Sequence, residues 1–373
     1  MTRTFLVTMA MLIGTSGLAP AAPAAPANTG QVPQLQNILK RAQQVRELVI
    51  TESDEIRLGQ AVSEKVRARY GVVQDATVHR YVTLVGATLA ISSKRPDLPW
   101  KFIVLDTDGV NAFAAPGGFI HITRGALSLL GNEAELAGVL AHEITHVTEK
   151  HTIKAVREGK MVQIGAEETL HNQAVFSKLV EKTSELVFAG FGRAEELESD
   201  REGLRLANQV GYAPAGLQTF LQRLADRNKS ASEKQGLFAS HPEMQERIDR
   251  LTRQAAAEKL SGTATLEARY RKFISYTPKP QAEIAGVEAG SAGLAGGGTS
   301  AKPKAEPKKK GFGLGSLLKP TGSESKSAEV TGSGASRGVD TERNAKGGSN
   351  PAIVVVNVQM ADINAFKKEG NLK

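Results

Sequence analysis

The chain has 373 residues, 40% of them hydrophobic, which is enough to bury one large or two ordinary cores and excludes wholesale disorder. It contains no cysteine, so disulfide scaffolds, thiol catalysis and cysteine-ligated metal sites are excluded, and the strong metal ligands that remain are His, Asp and Glu. Residues 301–373 carry 13 basic and 7 acidic side chains, which is +6 of the formal net charge of +8. Because the excess charge lies in this last part, we expect no nucleic-acid partner for the main domain.

Residues 1–27 are typical of a secretory signal peptide. Arg3 gives a positive start, residues 5–18 are mostly apolar, and residues 19–27 are a run of Ala and Pro with several small-residue cleavage sites. A membrane anchor is the alternative, but the apolar stretch is shorter than the about 20 residues that a spanning helix needs. We therefore predict an exported protein, located in a bacterial periplasm.

The next part of the chain predicts helices followed by short strands. Helices are expected over residues 34–50 and after N-caps at Ser53 and Asp75, where apolar residues recur at helical spacing. Strands, rich in aromatic and β-branched residues, are expected over residues 100–105, 110–113 and 119–122. A short helix is expected after Thr123, and later helices over residues 158–192, 194–209, 217–227 and 243–259.

The composition changes near residue 277. Residues 278–351 are rich in Gly, Ser, Ala and Lys and are predicted to form a disordered, basic tail, because they bury too little apolar surface to offset the entropy of ordering. Residues 352–373 form a short last segment that begins with the β-prone run AIVVVNV, interpreted as a strand for a sheet edge or as a docking peptide. The charge of the tail favours contact with an anionic envelope surface. The domain between the signal and the tail is residues 28–277.

The most informative helix is predicted to begin after Asn132. Its middle, residues 136–141, is apolar on every face, which indicates a helix buried in a core. The sequence His142-Glu143-Ile144-Thr145-His146 follows. Histidines four residues apart lie on one helix face, about 6 Å apart, so both can bind one zinc ion, and Glu143 is placed to take a proton from water. Hydrogen-bonded core histidines are the alternative, but burying these groups without a cation is costly.

A catalytic zinc ion with two histidine ligands needs one more ligand from the protein. Glu196, Asp200 and Gly203 recur at helical spacing about fifty residues later, and the small residue allows close approach to another helix. We assign Glu196 as the third ligand and expect Asp200, one turn later, to orient a ligating imidazole through a hydrogen bond. An acidic, solvated helix face is the alternative.

Over residues 54–251 the sequence resembles the HtpX/BepA-like zinc metallopeptidases, relatives of the CAAX prenyl proteases, in their soluble, exported branch. The matching pieces, in the order of the family, are Arg95–Trp100, Val110–Ala114, Pro116–Gly118, Thr123–Gly125, Glu133–Glu143, Glu196 with Asp200 and Gly203, and His241-Pro242 with Arg247. One departure is Ser199, where the family usually has Ala. The resemblance implies an α+β, mainly helical zincin-like domain with a small β-sheet beside the HEXXH helix. It also implies one Zn²⁺ per chain on His142, His146 and Glu196, with Glu143 catalytic.

The predicted strands, the mechanism and the same resemblance suggest further site residues. An extended substrate would add to a strand edge formed by Asn111, Ala112, Phe113, Gly117 and Gly118, although ordinary core strands are an equal alternative. His241 is a candidate fourth ligand or latch over the zinc ion, and the alternative is a structural histidine at a helix start. Arg247 is a candidate for oxyanion stabilisation or structural support.

The predicted function is zinc-dependent endopeptidase cleavage of unfolded or misassembled envelope proteins, as part of protein quality control. The alternative is a periplasmic chaperone or binding module whose protease activity is largely latent. Among the other histidines, His151 and His171 are expected to be solvated, and His121 to pack on a strand face or line a substrate groove.

Overall fold

The computed structural model describes residues 50–158, 172–228, 244–280 and 350–373. The predicted signal peptide, the first predicted helix except its last residue, nearly all of the basic tail, His171 and His241 lie outside these ranges. Within them the prediction of a mainly helical α+β domain with a small sheet is confirmed. In the part of the chain that is described, no helix is both long and apolar enough to span a bilayer.

Two helices precede the sheet. Helix α1, Glu52–Tyr70, begins two residues earlier than an N-cap at Ser53 would place it. Thr51 is the cap because it forms a capping box with Asp54, in which each side chain accepts a hydrogen bond from the backbone N–H of the other residue. Helix α2, Ala76–Ala90, begins at the predicted cap, where the Asp75 carboxylate accepts hydrogen bonds from two backbone N–H groups.

The sheet has three strands: β1, Lys101–Leu105; β2, Ala112–Ala115; and β3, Phe119–Thr123. Strand β3 lies in the middle, parallel to β1 and antiparallel to β2, with His121 opposite Ile103 on one side and Phe113 on the other. A short 3-10 turn, Pro116–Gly118, joins β2 to β3. Strand β2 begins two residues later than predicted and consists of Ala and Phe residues. It lies at one edge of the sheet, because β3 separates it from β1.

Eight further helices follow before residue 280 in the described part of the chain, and one of them is buried along nearly its whole length. They are α3, Arg124–Leu129; α4, Glu133–Thr148; α5, His151–Glu158; α6, Gln173–Ala189; α7, Arg193–Val210; α8, Ala215–Asn228; α9, Met244–Ala257; and α10, Glu267–Phe273. Helix α4 begins at Asn132 as predicted, and every residue from Glu133 to Val147 is buried. Helices α7 and α8 pack most extensively against it. The HEXXH sequence therefore lies in the middle of the protein interior.

The two faces of the sheet belong to two hydrophobic cores. Ile120 and Ile122 point into the larger core, together with residues of α2, α4 and α8. Phe113 and Ile103 point into the smaller one, with residues of α1 and α6. Because successive side chains of a strand alternate between faces, His121 lies on the second face.

The last described segment packs back on the domain. Residues 350–359 form no strand, contrary to the interpretation as a strand for a sheet edge. Two of their carbonyl groups are bonded by side chains instead: Gln74 Nε2 lies 3.2 Å from Ala352 O, and Arg80 Nη1 lies 2.8 Å from Asn357 O. Asn350 O accepts a single backbone hydrogen bond from Val72, at 2.9 Å. Helix α11, Met360–Glu369, follows and buries Phe366 against the larger core.

Candidate metal centre

Three buried side chains from two helices converge at the centre of the domain. His142 and His146 come from α4 and Glu196 comes from α7. The two Nε2 atoms are 3.1 Å apart, and Oε2 and Oε1 of Glu196 lie 3.5 Å and 3.4 Å from His142 Nε2 and His146 Nε2. The structure thus brings together the three ligands assigned from the sequence.

The geometry of this triad fits a zinc ion. Tetrahedral zinc with nitrogen and oxygen ligands at about 2.1 Å separates those ligand atoms by about 3.4 Å, close to the three distances observed here. The donor set of two imidazoles and one carboxylate is that of catalytic zinc sites. Each of the three residues exposes 3% or less of its surface.

Gly203 allows α7 to reach the histidines. A Cβ atom at this position would lie 2.9 Å from the backbone nitrogen of His142 and 3.1 Å from the carbonyl carbon of Ala141. These are backbone atoms of a buried helix, which cannot move aside without shifting the ligands themselves. The absence of a side chain at residue 203 therefore sets the distance from Glu196 to the imidazoles.

Asp200 contacts the imidazole of His142 at the ring nitrogen that does not face the triad. Its Oδ1 lies 3.0 Å from Nδ1 of His142, which leaves Nε2 directed at the triad, as expected from the sequence. Burial alone would lower the pKa of His142, but hydrogen bonds to Asp200 and Glu196 outweigh it and raise the pKa to about 9. Metal ligation requires the neutral imidazole, so a proton must leave His142 when a metal ion binds.

Arg247, from α9, binds both acidic residues of α7. Its Nε and Nη2 lie 2.8 Å and 2.7 Å from the two carboxylate oxygens of Asp200, and Nη1 lies 3.0 Å from Oε2 of Glu196. Burial would raise the pKa of Asp200, yet the Arg247 charge lowers it to about 2. Of the two roles considered for Arg247, this placement favours structural support, because the guanidinium is already directed at carboxylates.

The second imidazole is held by a residue that the sequence analysis assigned wrongly. His151 is buried, not solvated, and its Nδ1 lies 3.0 Å from Nδ1 of His146. Its Nε2 lies 3.1 Å from Oε2 of Glu198. Phe191 stacks on the His146 ring at a centroid distance of 4.2 Å. Burial lowers the pKa of His151, which outweighs the opposite effect of Glu198.

The sequence feature that could have indicated this contact is the position of His151, five residues after His146. In a continuous helix, however, the side chain of residue 151 would point about 140° away from that of residue 146. The chain instead breaks at Lys150, whose φ of 57° lies in the left-handed region. This break turns His151 back toward the metal ligands.

Glu143 lies next to His142 in α4 and is buried, with 1% of its surface exposed. Its negative charge acts on Arg247 and helps to raise the pKa of that guanidinium. A carboxylate at this position, beside two histidines that could bind a metal ion, can accept a proton from water and pass it on.

The residues predicted to form a substrate edge lie mainly within the fold. Phe113 stacks on Tyr70 and packs edge-on against Phe188, so its side chain belongs to the smaller core. Ala112 belongs to the larger core, and the Asn111 amide oxygen accepts a hydrogen bond from the Ala112 backbone N–H. The backbone of these three residues lies in or directly before the edge strand β2, and each residue exposes 2% or less of its surface.

Gly117 and Gly118 have a structural explanation. The backbone N–H of Gly117 donates a hydrogen bond to Oε1 of Glu55, and a Cβ atom on Gly117 would lie 2.6 Å from the Cα of Ile56 in α1. Both glycines have positive φ, 71° and 97°, which side chains disfavour. The turn therefore docks the sheet on α1.

His121 packs on the face of the sheet that is directed at the smaller core, which confirms the first of the two predictions made for it, packing on a strand face. It is completely buried, and its Nε2 lies 2.9 Å from the Ser63 hydroxyl. Burial lowers its pKa to about 3, so the ring is neutral at pH 7. Since α1 covers it, His121 does not line an open groove.

Comparison with known proteins identifies the domain. Residues 76–255 match peptidase family M48. The beta-barrel assembly-enhancing protease of Yersinia pestis is 27% identical over 201 residues, which is 50% of this chain and 41% of that protein. The mitochondrial metalloendopeptidase OMA1 of Schizosaccharomyces pombe is 27% identical over 203 residues, 53% of this chain and 60% of that protein. The metalloprotease LoiP of Escherichia coli is 27% identical over 169 residues, 43% of this chain and 64% of that protein.

The chain spans about two fifths of the length of the assembly-enhancing protease that it matches. The matched range contains α4, α7 and most of α9, and thus all three converging ligands, Glu143, Asp200 and Arg247. The metal-ligand geometry and the sequence match point to the same conclusion: the chain carries, over residues 76–255, a domain of peptidase family M48.

Proposed function

We propose that this protein is a zinc-dependent endopeptidase. The observation that carries the proposal is the buried triad of His142, His146 and Glu196, with Glu143 in the same turn of α4. A structural zinc site is closed by four protein ligands, whereas a catalytic site has three and leaves one position open. Three side chains make up the cluster found among the described residues. A carboxylate beside the ligands has no use in a purely structural site.

The chemistry divides between the ion and the chain. When bound, zinc supplies Lewis-acid chemistry, which acidifies water and polarises the carbonyl of the peptide bond. Glu143 accepts a proton from the attacking water and delivers it to the departing amine nitrogen. Asp200 and Arg247 keep His142 oriented, so that the site needs no rearrangement during the reaction.

We further propose that the substrates are unfolded or misassembled proteins of the bacterial envelope, and that the protein is exported to the periplasm. The names of the relatives, which include a beta-barrel assembly-enhancing protease, support this assignment, as does the signal-like sequence of residues 1–27. Strand β2 lies at the edge of the described sheet, but its residues expose 3% or less of their surface, so an extended chain could add there as a further strand only after the covering residues move aside. Recognition through backbone groups selects for extended conformation more than for sequence.

The decisive experiment compares wild type with Glu143→Gln on an unfolded, casein-like substrate. We expect the variant to retain zinc, measured by elemental analysis, and to lose cleavage by a factor of about 10²–10⁴, as is usual for removal of a general base. Glu149→Gln, the same change at the end of the same helix, should cleave at the wild-type rate. Wild-type cleavage by Glu143→Gln would exclude the proposed mechanism.

The same experiment separates the peptidase from a binding module. A chaperone or binding module would bind unfolded substrate equally well in wild type and Glu143→Gln and would cleave it in neither. Substrate binding is therefore measured alongside cleavage, by fluorescence anisotropy of the labelled substrate. Cleavage by wild type alone, with equal binding by both, is the result expected of an endopeptidase.

A further inference from the structure

His151 and Glu198 form a chain of hydrogen bonds that ends on a metal ligand. The His151 ring lies between Nδ1 of His146, at 3.0 Å, and Oε2 of Glu198, at 3.1 Å. The imidazole of His151 is buried, whereas the Glu198 side chain is about one-third exposed. The Ser199 hydroxyl lies 3.4 Å from the same Nδ1 of His151. In many metal sites a carboxylate hydrogen-bonds the ligating histidine directly. Here the ring of His151 lies between the carboxylate of Glu198 and His146.

Metal ligation fixes the direction of these hydrogen bonds. His146 offers Nε2 to the triad, so its Nδ1 must carry the ring proton for the imidazole to be neutral. That N–H then donates to Nδ1 of His151, which must be unprotonated. The proton of His151 therefore lies on Nε2 and donates to the Glu198 carboxylate. The opposite direction would require His146 to have no proton on either nitrogen.

Helix α7 thus serves both histidine ligands as well as the ion. Glu196 completes the triad, Asp200 binds Nδ1 of His142 directly, and Glu198 reaches Nδ1 of His146 through His151. Hydrogen-bond partners of this kind fix the tautomer of a ligating imidazole and raise its basicity, and their loss typically costs 10–100-fold in metal affinity. Glu198 is the residue of α7 whose carboxylate lies within hydrogen-bond distance of His151 Nε2.

We propose that His151 and Glu198 are positioning residues that hold His146 in the tautomer and orientation needed to bind zinc. The proposal rests on the zinc site of the proposed function but concerns metal affinity instead of cleavage. Neither residue touches the substrate or the reacting atoms. Their effect is transmitted through the ring of His146.

The test measures zinc affinity of the full-length, metal-stripped protein by competition with a chromophoric chelator. His151→Leu keeps most of the side-chain volume and removes both ring nitrogens, and we expect zinc affinity to fall about 10–100-fold. His151→Asn keeps an acceptor near the position of Nδ1 and should recover most of that loss. Glu198→Ala leaves the buried ring in place, so it should fold even if His151→Leu does not, and should lose affinity severalfold.

A spectroscopic measurement separates positioning from packing. With Co²⁺ in place of zinc, the visible absorption bands report the ligand field, so His151→Leu should shift them and His151→Asn should restore the wild-type spectrum. His79→Leu is the matched control: His79 is also buried and bonds the Val73 carbonyl, so its loss should lower thermal stability without changing zinc affinity or the cobalt spectrum.

Three results would overturn the proposal: wild-type affinity in both His151→Leu and Glu198→Ala, equal losses in His151→Leu and His151→Asn, or a wild-type protein without zinc affinity. Failure of the proposed function gives a different result. In that case Glu143→Gln would cleave like wild type, while the affinities of the His151 variants would still differ.

Discussion

Asp200 Oδ1 lies 3.0 Å from Nδ1 of His142, and the same carboxylate is bound by Arg247 through two nitrogen atoms at 2.7 Å and 2.8 Å. Helix α9 thereby fixes a residue of α7, which in turn fixes a ligand of α4. The geometry of the metal centre depends on the mutual position of three helices, so changes at the contacts between these helices should alter the affinity for a metal ion.

Arg247→Met should be strongly destabilising in the metal-free protein. The change removes the guanidinium from the buried carboxylates of Asp200 and Glu196, and breaking a buried ion pair in this way costs about 3–5 kcal/mol. Zinc should restore part of the loss, since it supplies positive charge to Glu196. Chemical denaturation with chelator and with excess zinc measures both effects. Arg250→Met, an exposed change in the same helix, should alter the unfolding free energy by less than about 0.5 kcal/mol.

Gly203→Ala should push α7 away from α4. The added methyl group would meet the backbone of His142 at 2.9 Å, and overpacking of this kind costs about 1–3 kcal/mol. Because Glu196 moves with the helix, zinc affinity should fall together with thermal stability. Gln209→Ala, which is exposed on the same helix, serves as the control and should change neither. Unchanged zinc affinity in Gly203→Ala would show that the two helices tolerate greater separation.

Zinc affinity should rise with pH. Without a metal ion the pKa of His142 is about 9, so its ring is protonated at pH 7 and must lose that proton to ligate. Between pH 6 and 8 this one group should increase the affinity about tenfold for each pH unit. Asp200→Asn removes a hydrogen bond that raises the pKa, so the dependence should become shallower. Chelator competition over this pH range, corrected for the chelator, measures both slopes; a flat wild-type profile would contradict the assignment.

His121 should make the fold less stable in acid. Its pKa is about 3 in the folded protein, because of burial, against 6.5 as the ordinary value. Between these values the unfolded chain binds more protons, so the contribution of His121 is complete above pH 6.5 and is lost as the pH falls toward 3. The loss is about 1.4 kcal/mol for each pH unit in this window. Denaturation at several pH values, with chelator present, should show a smaller slope for His121→Gln than for wild type. Equal slopes would exclude this residue as the source.

Phe366→Ala should destabilise the domain although it lies near the end of the chain. Phe366 is buried, and the guanidinium carbon of Arg269 lies 3.8 Å from the centre of its ring. Removal of a buried phenylalanine costs about 3–5 kcal/mol. Val355→Ala, at a position that is 80% exposed, is the control and should leave the stability unchanged. Thermal denaturation of the two variants distinguishes a docked segment from one that packs loosely.

Much of the site could be predicted because it depends on local geometry. Four residues make one helical turn, so His142 and His146 were bound to share a face wherever the helix lay. The same rule placed Asp200 one turn after Glu196. Caps at Asp75, Thr123 and Asn132 were predictable because short polar side chains bond the free N–H groups of a helix start.

The errors have local causes as well. The N-cap was predicted at Ser53 because a serine there precedes apolar residues at helical spacing. Thr51 is the cap in the structure, since its reciprocal hydrogen bonds with Asp54 form a capping box. The run at residues 352–358 was interpreted from β propensity, which describes fit to a half-buried pleated surface and not an intrinsic backbone preference. In the fold the carbonyls of Ala352 and Asn357 accept hydrogen bonds from the side chains of Gln74 and Arg80, and no strand ladder forms.

By itself the sequence determined the zinc-binding pattern on α4, the acidic pair on α7 and the order of the strands and helices between them, since each follows from periodicity within one element. The tertiary structure decided which residues form hydrogen bonds with the candidate metal ligands and with Asp200. Arg247 is 47 residues from Asp200, and no spacing rule relates two separate helices. His151 reaches His146 because one left-handed residue, Lys150, ends the helix between them, and a single backbone angle redirects everything that follows it.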